Sequence, residues 1–181
     1  LQYILGQDPQ PTPEYFTKGK LFHNLLASFY RQNGNPPGQA YPIEGALETI
    51  SRGSRVHLEN AYRVHLQHSW KDGQVIAVEK PFAMLVDPEL PPLVGVIDLV
   101  LKQDGATIIV DHKTGRDFYP QDELQGAIYT EYMRREFGDE SQSTFYYDHY
   151  RWVENLQRIR KPALQRTPIT SSVDYWPAAL E

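Results

Sequence analysis

An Asp104-Gly105 pair stands between two apolar runs, Leu93-Val94-Gly95-Val96-Ile97-Asp98-Leu99-Val100-Leu101 and Ala106-Thr107-Ile108-Ile109-Val110-Asp111-His112-Lys113. Asp-Gly is the signature of a two-residue type I′ turn, in which both central residues need positive φ. Such a turn fixes the register of the hairpin that it closes. Gln103 then faces Ala106 and Lys102 faces Thr107. Counting outward rung by rung, Asp98 is expected to face Asp111, so that two carboxylates meet on one face of a sheet.

Directly opposed side chains have Cβ atoms roughly 4.5–5.5 Å apart. With an effective dielectric of about 20, two like charges about 5 Å apart repel by roughly 3 kcal/mol. The Val, Ile and Leu residues around them imply burial, which raises the cost unless the charges are paired or coordinate a cation. Lys113 returns to the face of Asp111 by strand alternation, yet one ammonium cannot neutralise two carboxylates. An oxygen-seeking divalent ion, Mg²⁺ or Mn²⁺, resolves the conflict and also supplies chemistry. The plainer alternative is a buried Asp-Lys-Asp ion cluster with a structural role only.

The chain has 181 residues, of which 40% are hydrophobic, enough for one domain with a sizeable core. Its formal charge of −5 gives no general affinity for polyanions, so any nucleic-acid contact must come from a local patch. Cysteine is absent, which excludes disulfides, thiolate zinc sites and a Cys-ligated iron–sulfur cluster and is compatible with a reducing cytoplasm. No apolar run approaches the roughly 20 residues that span a bilayer. Leu1-Gln2-Tyr3 starts neither a signal peptide nor a chain with its initiator methionine, which leaves room for a larger parent protein.

Phe22, Leu25, Leu26 and Phe29 recur at helical spacing within residues 14–31 and predict an amphipathic helix that packs on the sheet. Asn33 to Gly38 reads as a loop. A second helix is expected from about Glu44 to Ser69, where His65 and His68 are read as packing or hydrogen-bonding residues rather than metal ligands. A strand from Val75 to Lys80 leads through Pro81 to Phe82 and Val86, and the acidic hairpin follows. Tyr119 to Glu123 looks like the start of a helix that runs to Gly138, and Ser143 to Tyr150 is the final strand candidate. The expected fold is a single α/β domain with a mixed central β-sheet flanked by helices, and a right-handed last crossover. Residues 1–150 form the core on this reading, and 151–181 a basic C-terminal extension rather than a separate domain. Arg151, Arg158, Arg160, Lys161 and Arg166 make that extension either a phosphate-binding arm or a solvated surface stretch.

Taken in order, Gly19-x-x-x-His23, Glu79, Gly95-x-x-Asp98, Asp111-His112-Lys113 and Gln125-x-x-x-Tyr129 resemble the motifs of the PD-(D/E)XK nuclease superfamily, specifically its RecB-type exonuclease domain. The resemblance spans roughly residues 14 to 150 and implies a restriction-endonuclease-like core. It also implies a Mg²⁺- or Mn²⁺-dependent phosphodiesterase acting on DNA, whose metal is held by His23, Asp98, Asp111 and the main-chain carbonyl of His112. A histidine at 112 departs from the aromatic that the family often carries there. Lys113 takes the place of the catalytic lysine, orienting or deprotonating the attacking water and stabilising charge on the phosphorane. Gln125 and Tyr129, one turn apart on a helix, would border the site and position substrate or Lys113. Glu79 is a further metal-donor candidate from the adjoining strand, and Arg116 a candidate phosphate contact. A second Gly-x-x-x-His, Gly53 to His57, competes with His23 for the first motif.

These expectations converge on a DNA exonuclease of recombination, repair or phage-type processing, acting on single strands or duplex ends, with no membrane association. A larger helicase-nuclease or recombination assembly could be its partner. The rivals are a non-catalytic nucleic-acid-binding module on the same fold and a structure-selective endonuclease.

Overall fold

The computed structural model describes residues 14–32, 47–48, 50–118, 123–138 and 143–169. The expected loop at 33–38, residues 44–46 of the expected second helix, residues 119–122 and the end of the chain from 170 lie outside them; the helix described there begins at Arg52, after an extended Ser51, and not near Glu44.

Helix α1 spans Glu14–Arg31, the range that its apolar spacing predicts, and buries Phe22, Leu26, Phe29 and Tyr30. Helix α2 spans Arg52–His68 and begins at an N-cap, where Ser51 Oγ accepts from the Ser54 amide at 3.2 Å. Strands β1 (Gln74–Met84), β2 (Leu93–Gln103) and β3 (Ala106–Gly115) precede helix α3 (Glu123–Phe137). Strand β4 (Ser143–Arg151), a 3₁₀ turn at Leu156–Arg158 and strand β5 (Leu164–Ile169) complete the order. The sheet runs β1-β2-β3-β4-β5, antiparallel throughout except for the parallel pair β3/β4 that α3 connects.

This is the expected α/β domain, a mixed five-stranded sheet with helices on both faces. Phe29 and Tyr30 of α1 pack with Leu99, Leu101, Ile108 and Val110 on one face. Tyr129 and Met133 of α3 pack with Val100, Ile109, Phe145 and Tyr147 on the other. Alternation along β2, β3 and β4 thus sends neighbouring residues to opposite cores. Asp104 (φ 51°) and Gly105 (φ 84°) form the hairpin turn with both φ values positive, as the Asp-Gly pair requires.

One element was not legible in the chain. Strand β5 follows Ser143 to Tyr150, the final strand candidate of the sequence, and joins part of the 151–181 segment to the sheet along β4. Its sequence, Leu164-Gln-Arg-Thr-Pro-Ile, has no clean alternation, and Pro168 is tolerated because β5 is an edge strand. Pro81 sits in the other edge strand, β1, which therefore runs unbroken to Met84.

Candidate active site

The register of the hairpin is the predicted one from Gln103–Ala106 out to Leu99–Val110, and there the ladder stops. The next rung, Asp98 and Asp111, is not a simple cross-strand pair. Ile97 packs in the same core as Val100, although they are three residues apart and should face opposite ways. β1 slips in phase at the same level. Val78 packs toward the α1 side, whereas Lys80 reaches Glu136 of α3 at 3.2 Å, and the intervening Glu79 has φ 51°. A left-handed conformation at a non-glycine residue costs of order 1 kcal/mol, and here it re-aims the Glu79 side chain.

The kink frees Asp98 from ordinary alternation. Its Oδ2 accepts from the His112 amide at 2.7 Å, taking the place of a main-chain ladder partner. The amide and carbonyl of one strand residue point to the same edge, so the His112 carbonyl is turned toward the same gap between β2 and β3. Nδ1 of His23, on α1, lies 3.4 Å from Asp98 Oδ2. Donor atoms of His23, Glu79 and Asp98 all fall within 4.8 Å of one another. Gly95, three residues before Asp98, is where the ring of Phe82 crosses the strand, since a Cβ there would lie 2.7 Å from Phe82 Cε1.

Asp111 is engaged on the α3 side. Lys113 Nζ pairs with its Oδ2 at 2.8 Å, and Gln125 Nε2 donates to its Oδ1 at 2.8 Å. Gln125 Oε1 accepts from Lys113 Nζ at 3.2 Å and from the Tyr147 hydroxyl at 3.0 Å. Tyr129 accepts from Gln125 at 3.0 Å and donates to the Val96 carbonyl at 3.1 Å, which ties α3 to the start of the kink. The Lys113 side chain is 42% exposed against 5% for Asp111, so the ammonium can meet a ligand while its partner stays anchored.

The electrostatics separate the carboxylates. Burial, then the nearby charge of Asp98, pushes Asp111 up to about 6. Burial also opposes ionisation of Asp98, but hydrogen bonding and charge from His23, with the His112 amide, outweigh it and hold Asp98 below the usual carboxylate range. Burial and Asp98 raise Glu79. For His23 burial works against the imidazolium, and Asp98, Asp111 and Glu79 together overcome it and raise the group.

An imidazole nitrogen and carboxylate oxygens in this number form a donor set suited to a hard or borderline divalent ion such as Mg²⁺ or Mn²⁺. The three donor atoms lie close enough together to bind one ion, and one of them is carried by the residue whose backbone is left-handed, Glu79.

A family model described as the PD-(D/E)XK nuclease superfamily matches residues 1–176. The chain belongs to the PD-(D/E)XK nuclease superfamily. No curated protein matches it in sequence. A solved structure titled "Crystal structure of SSO0001" is similar at 14% identity with a TM-score of 0.34, covering 93% of this chain and 72% of that one. Members of the superfamily are nucleases that use divalent metals, and their substrates are nucleic acids.

Within this superfamily frame, His23 rather than His57 stands beside the acidic cluster. His57 instead lies against Lys18 at 3.3 Å and stacks over Trp152, with ring centroids 6.4 Å apart. The His112 imidazole points into the opposite core near Tyr30 and Tyr150, and its burial pushes it down to about 4. His65 is buried and bonded to the Tyr150 hydroxyl at 2.8 Å, a packing role as expected. Arg116 lines a groove together with His23, Lys18 and Trp152. Sequence reading missed Tyr147, which is register partner to Asp111 across the parallel pair. Its position depends on how β4 slides along β3, which no turn fixes.

Proposed function

We propose that the protein is a Mg²⁺- or Mn²⁺-dependent deoxyribonuclease of RecB type that hydrolyses phosphodiesters from strand ends, in cytoplasmic DNA recombination, repair or phage-type processing. The observation that carries this reading is the convergence of His23, Glu79 and Asp98 beside a lysine already paired with Asp111. His23, Asp98 and Asp111, with the His112 carbonyl and Glu79, would hold the ion. When bound, it supplies Lewis-acid polarisation of the phosphodiester and lowers the pKa of a coordinated water.

The chain's own groups do the rest. Lys113 presents an ammonium to the attacked phosphate, where it orients water and offsets charge on the phosphorane. Asp111 and Gln125 fix the lysine's position from two sides. Tyr129 and Tyr147 hold Gln125, so the amide cannot turn away from Asp111. The exonuclease assignment rests on the order of the sequence motifs, and a larger helicase-nuclease assembly fits the same reading.

The test uses end-labelled linear and closed circular DNA, single- and double-stranded, with Mg²⁺ or Mn²⁺, and compares wild type with Lys113→Ala. Metal-dependent loss of label from linear DNA, abolished in the variant, is expected. Cutting of closed circles would replace the exonuclease with a structure-selective endonuclease. No digestion by wild type would leave a binding module, and full activity in Lys113→Ala would refute the site.

A further inference from the structure

A second feature lies beside the carboxylate cluster, on the outer side of α1. A groove lined by His23, Gly19, Thr114 and Arg116 shares Lys18, Arg116 and Trp152 with an adjoining cavity of about 1080 Å³. The two adjoin at these three shared residues, and His23 lines the first of them. Along the cavity stand Lys18, Arg116, Arg151, Arg158 and Arg160 against two acids, Asp117 and Glu154, in a chain whose net charge is −5. Asp117 is already within 3.7 Å of Lys161.

Three details show that this charge is arranged rather than incidental. Lys18 is only 7% exposed, yet its ammonium meets the Trp152 ring at 4.5 Å and His57 at 3.3 Å, and the carboxylate whose charge reaches it, Glu14, is exposed and not within ion-pair distance. Buried cations are ordinarily paired, and Glu14 is itself taken up by the Ser51 amide at 2.6 Å, which leaves the ammonium suited to an anion from outside. Arg151 spends its guanidinium on the carbonyls of Arg116, Lys161 and Pro162, which pins the ends of β3 and β4 together and shapes the wall without cancelling its charge. Tyr15 and Phe16 line the end nearest His23, stacked on each other with centroids 4.5 Å apart, and are 63% and 58% exposed.

We propose that this groove is the track for an unpaired DNA strand running away from the cleavage site, with Lys18, Arg116, Arg158 and Arg160 holding phosphates and Tyr15 and Phe16 stacking on bases. Cations along a groove with aromatic rings at its mouth are the usual means of gripping a single strand. A duplex keeps its base faces covered along its length and offers such rings only its terminal pairs. The proposal rests on the nuclease reading and narrows its substrate to the single-stranded form. It also divides the basic C-terminal residues, for Arg166 turns inward to Asp148 while Arg158 and Arg160 stay in the groove.

Fluorescence anisotropy in EDTA tests binding without cleavage, using a labelled short oligodeoxythymidylate, an abasic strand of equal length and a blunt duplex. Wild type should bind the oligodeoxythymidylate at least about 10-fold more tightly than the abasic strand or the duplex, since stacking contributes roughly 1–3 kcal/mol per base. Tyr15→Ala with Phe16→Ala should erase the preference over the abasic strand. Arg158→Glu with Arg160→Glu should weaken single-strand binding by about 10-fold or more and lower the salt slope by about two. Arg63→Glu, an exposed reversal on α2 outside the groove, should change affinity by less than about 2-fold. Equal binding of duplex, an intact base preference without the two rings, or equal losses from Arg63→Glu would each overturn the track. Failure of the nuclease reading shows separately, as absence of metal-dependent digestion by wild type.

Discussion

Asp111 and Asp148 lie on neighbouring strands, each almost fully buried, yet the protein treats their charges in opposite ways. Asp148 accepts two hydrogen bonds from Arg166, both at 2.7 Å, and a third from Trp70 Nε1 at 2.9 Å. The guanidinium itself lies over Trp70, 3.7 Å from the ring centroid, and donates to the His68 carbonyl. Both carboxylate oxygens there have partners within the chain. On the other face Asp111 pairs with Lys113 alone among the described residues, while Asp98 and Glu79 crowd in around His23, with the charge of Arg31 reaching Glu79. A cluster that serves stability closes its own charge balance. One that serves a ligand leaves a deficit for the ligand to fill.

The contrast can be broken most sharply at Asp98. Asp98→Asn should reduce metal-dependent hydrolysis by at least about 100-fold while costing the metal-free protein only the modest stability that His23 and the His112 amide give the ionised carboxylate. It should also abolish the rise in melting temperature that Mn²⁺ gives wild type, a rise worth about 2.7 kcal/mol at a hundredfold excess over Kd. A large loss of metal-free stability would place Asp98 with Asp148 as a structural acid.

Asp148→Ala should do the reverse. Removing one partner of a buried ion pair costs about 3–5 kcal/mol, so urea denaturation should show a marked drop while activity per folded molecule holds. Equal losses in both measurements would dissolve the distinction between the two clusters.

Asp111 sharpens it through pH. Its folded pKa is raised to about 6, so between the unfolded value and that point the native state binds more protons than the unfolded chain, and wild type loses stability as pH rises through the window. Asp111→Asn has no such loss. In EDTA the variant should be the more stable protein at pH 8, by of order 2 kcal/mol, and the advantage should fade as pH falls through 6. An advantage that is flat with pH would show that Asp111 is not held against its own ionisation.

The smallest effect concerns Tyr147→Phe, which removes one donor to Gln125 Oε1. Turnover should fall several-fold, and stability by under about 1 kcal/mol, as for a single hydrogen bond. Kinetics and denaturation on one preparation separate the two. A stability loss above that bound would make Tyr147 part of the core rather than a positioning residue.

Much of this was legible in the chain because it is written locally. The helical spacing of Phe22, Leu26 and Phe29 marks α1, and Asp104-Gly105 fixes the hairpin out to Leu99–Val110. Gln125 and Tyr129 share a helix face by spacing alone and do meet the Asp111–Lys113 pair. Strand β5 was not legible, since an edge strand with Pro168 has neither alternation nor apolar excess. Nor was the fate of the basic tail, where Arg166 and Arg158 look alike in sequence and differ only in what faces them.

The chain alone determined a hairpin with acids on both arms, a lysine two residues beyond one of them, and helices with a polar pair on one face. These follow from turn chemistry and the periods of helix and strand. Only the tertiary structure decided that both strands slip phase at Glu79 and Asp98, so that Asp98 turns to His23 and the His112 amide rather than simply facing Asp111. It also decided between His23 and His57. The physical reason is the same in both cases: a side chain's direction at a kink, and its neighbour from a distant helix, are set by how packed layers meet and not by spacing along the chain.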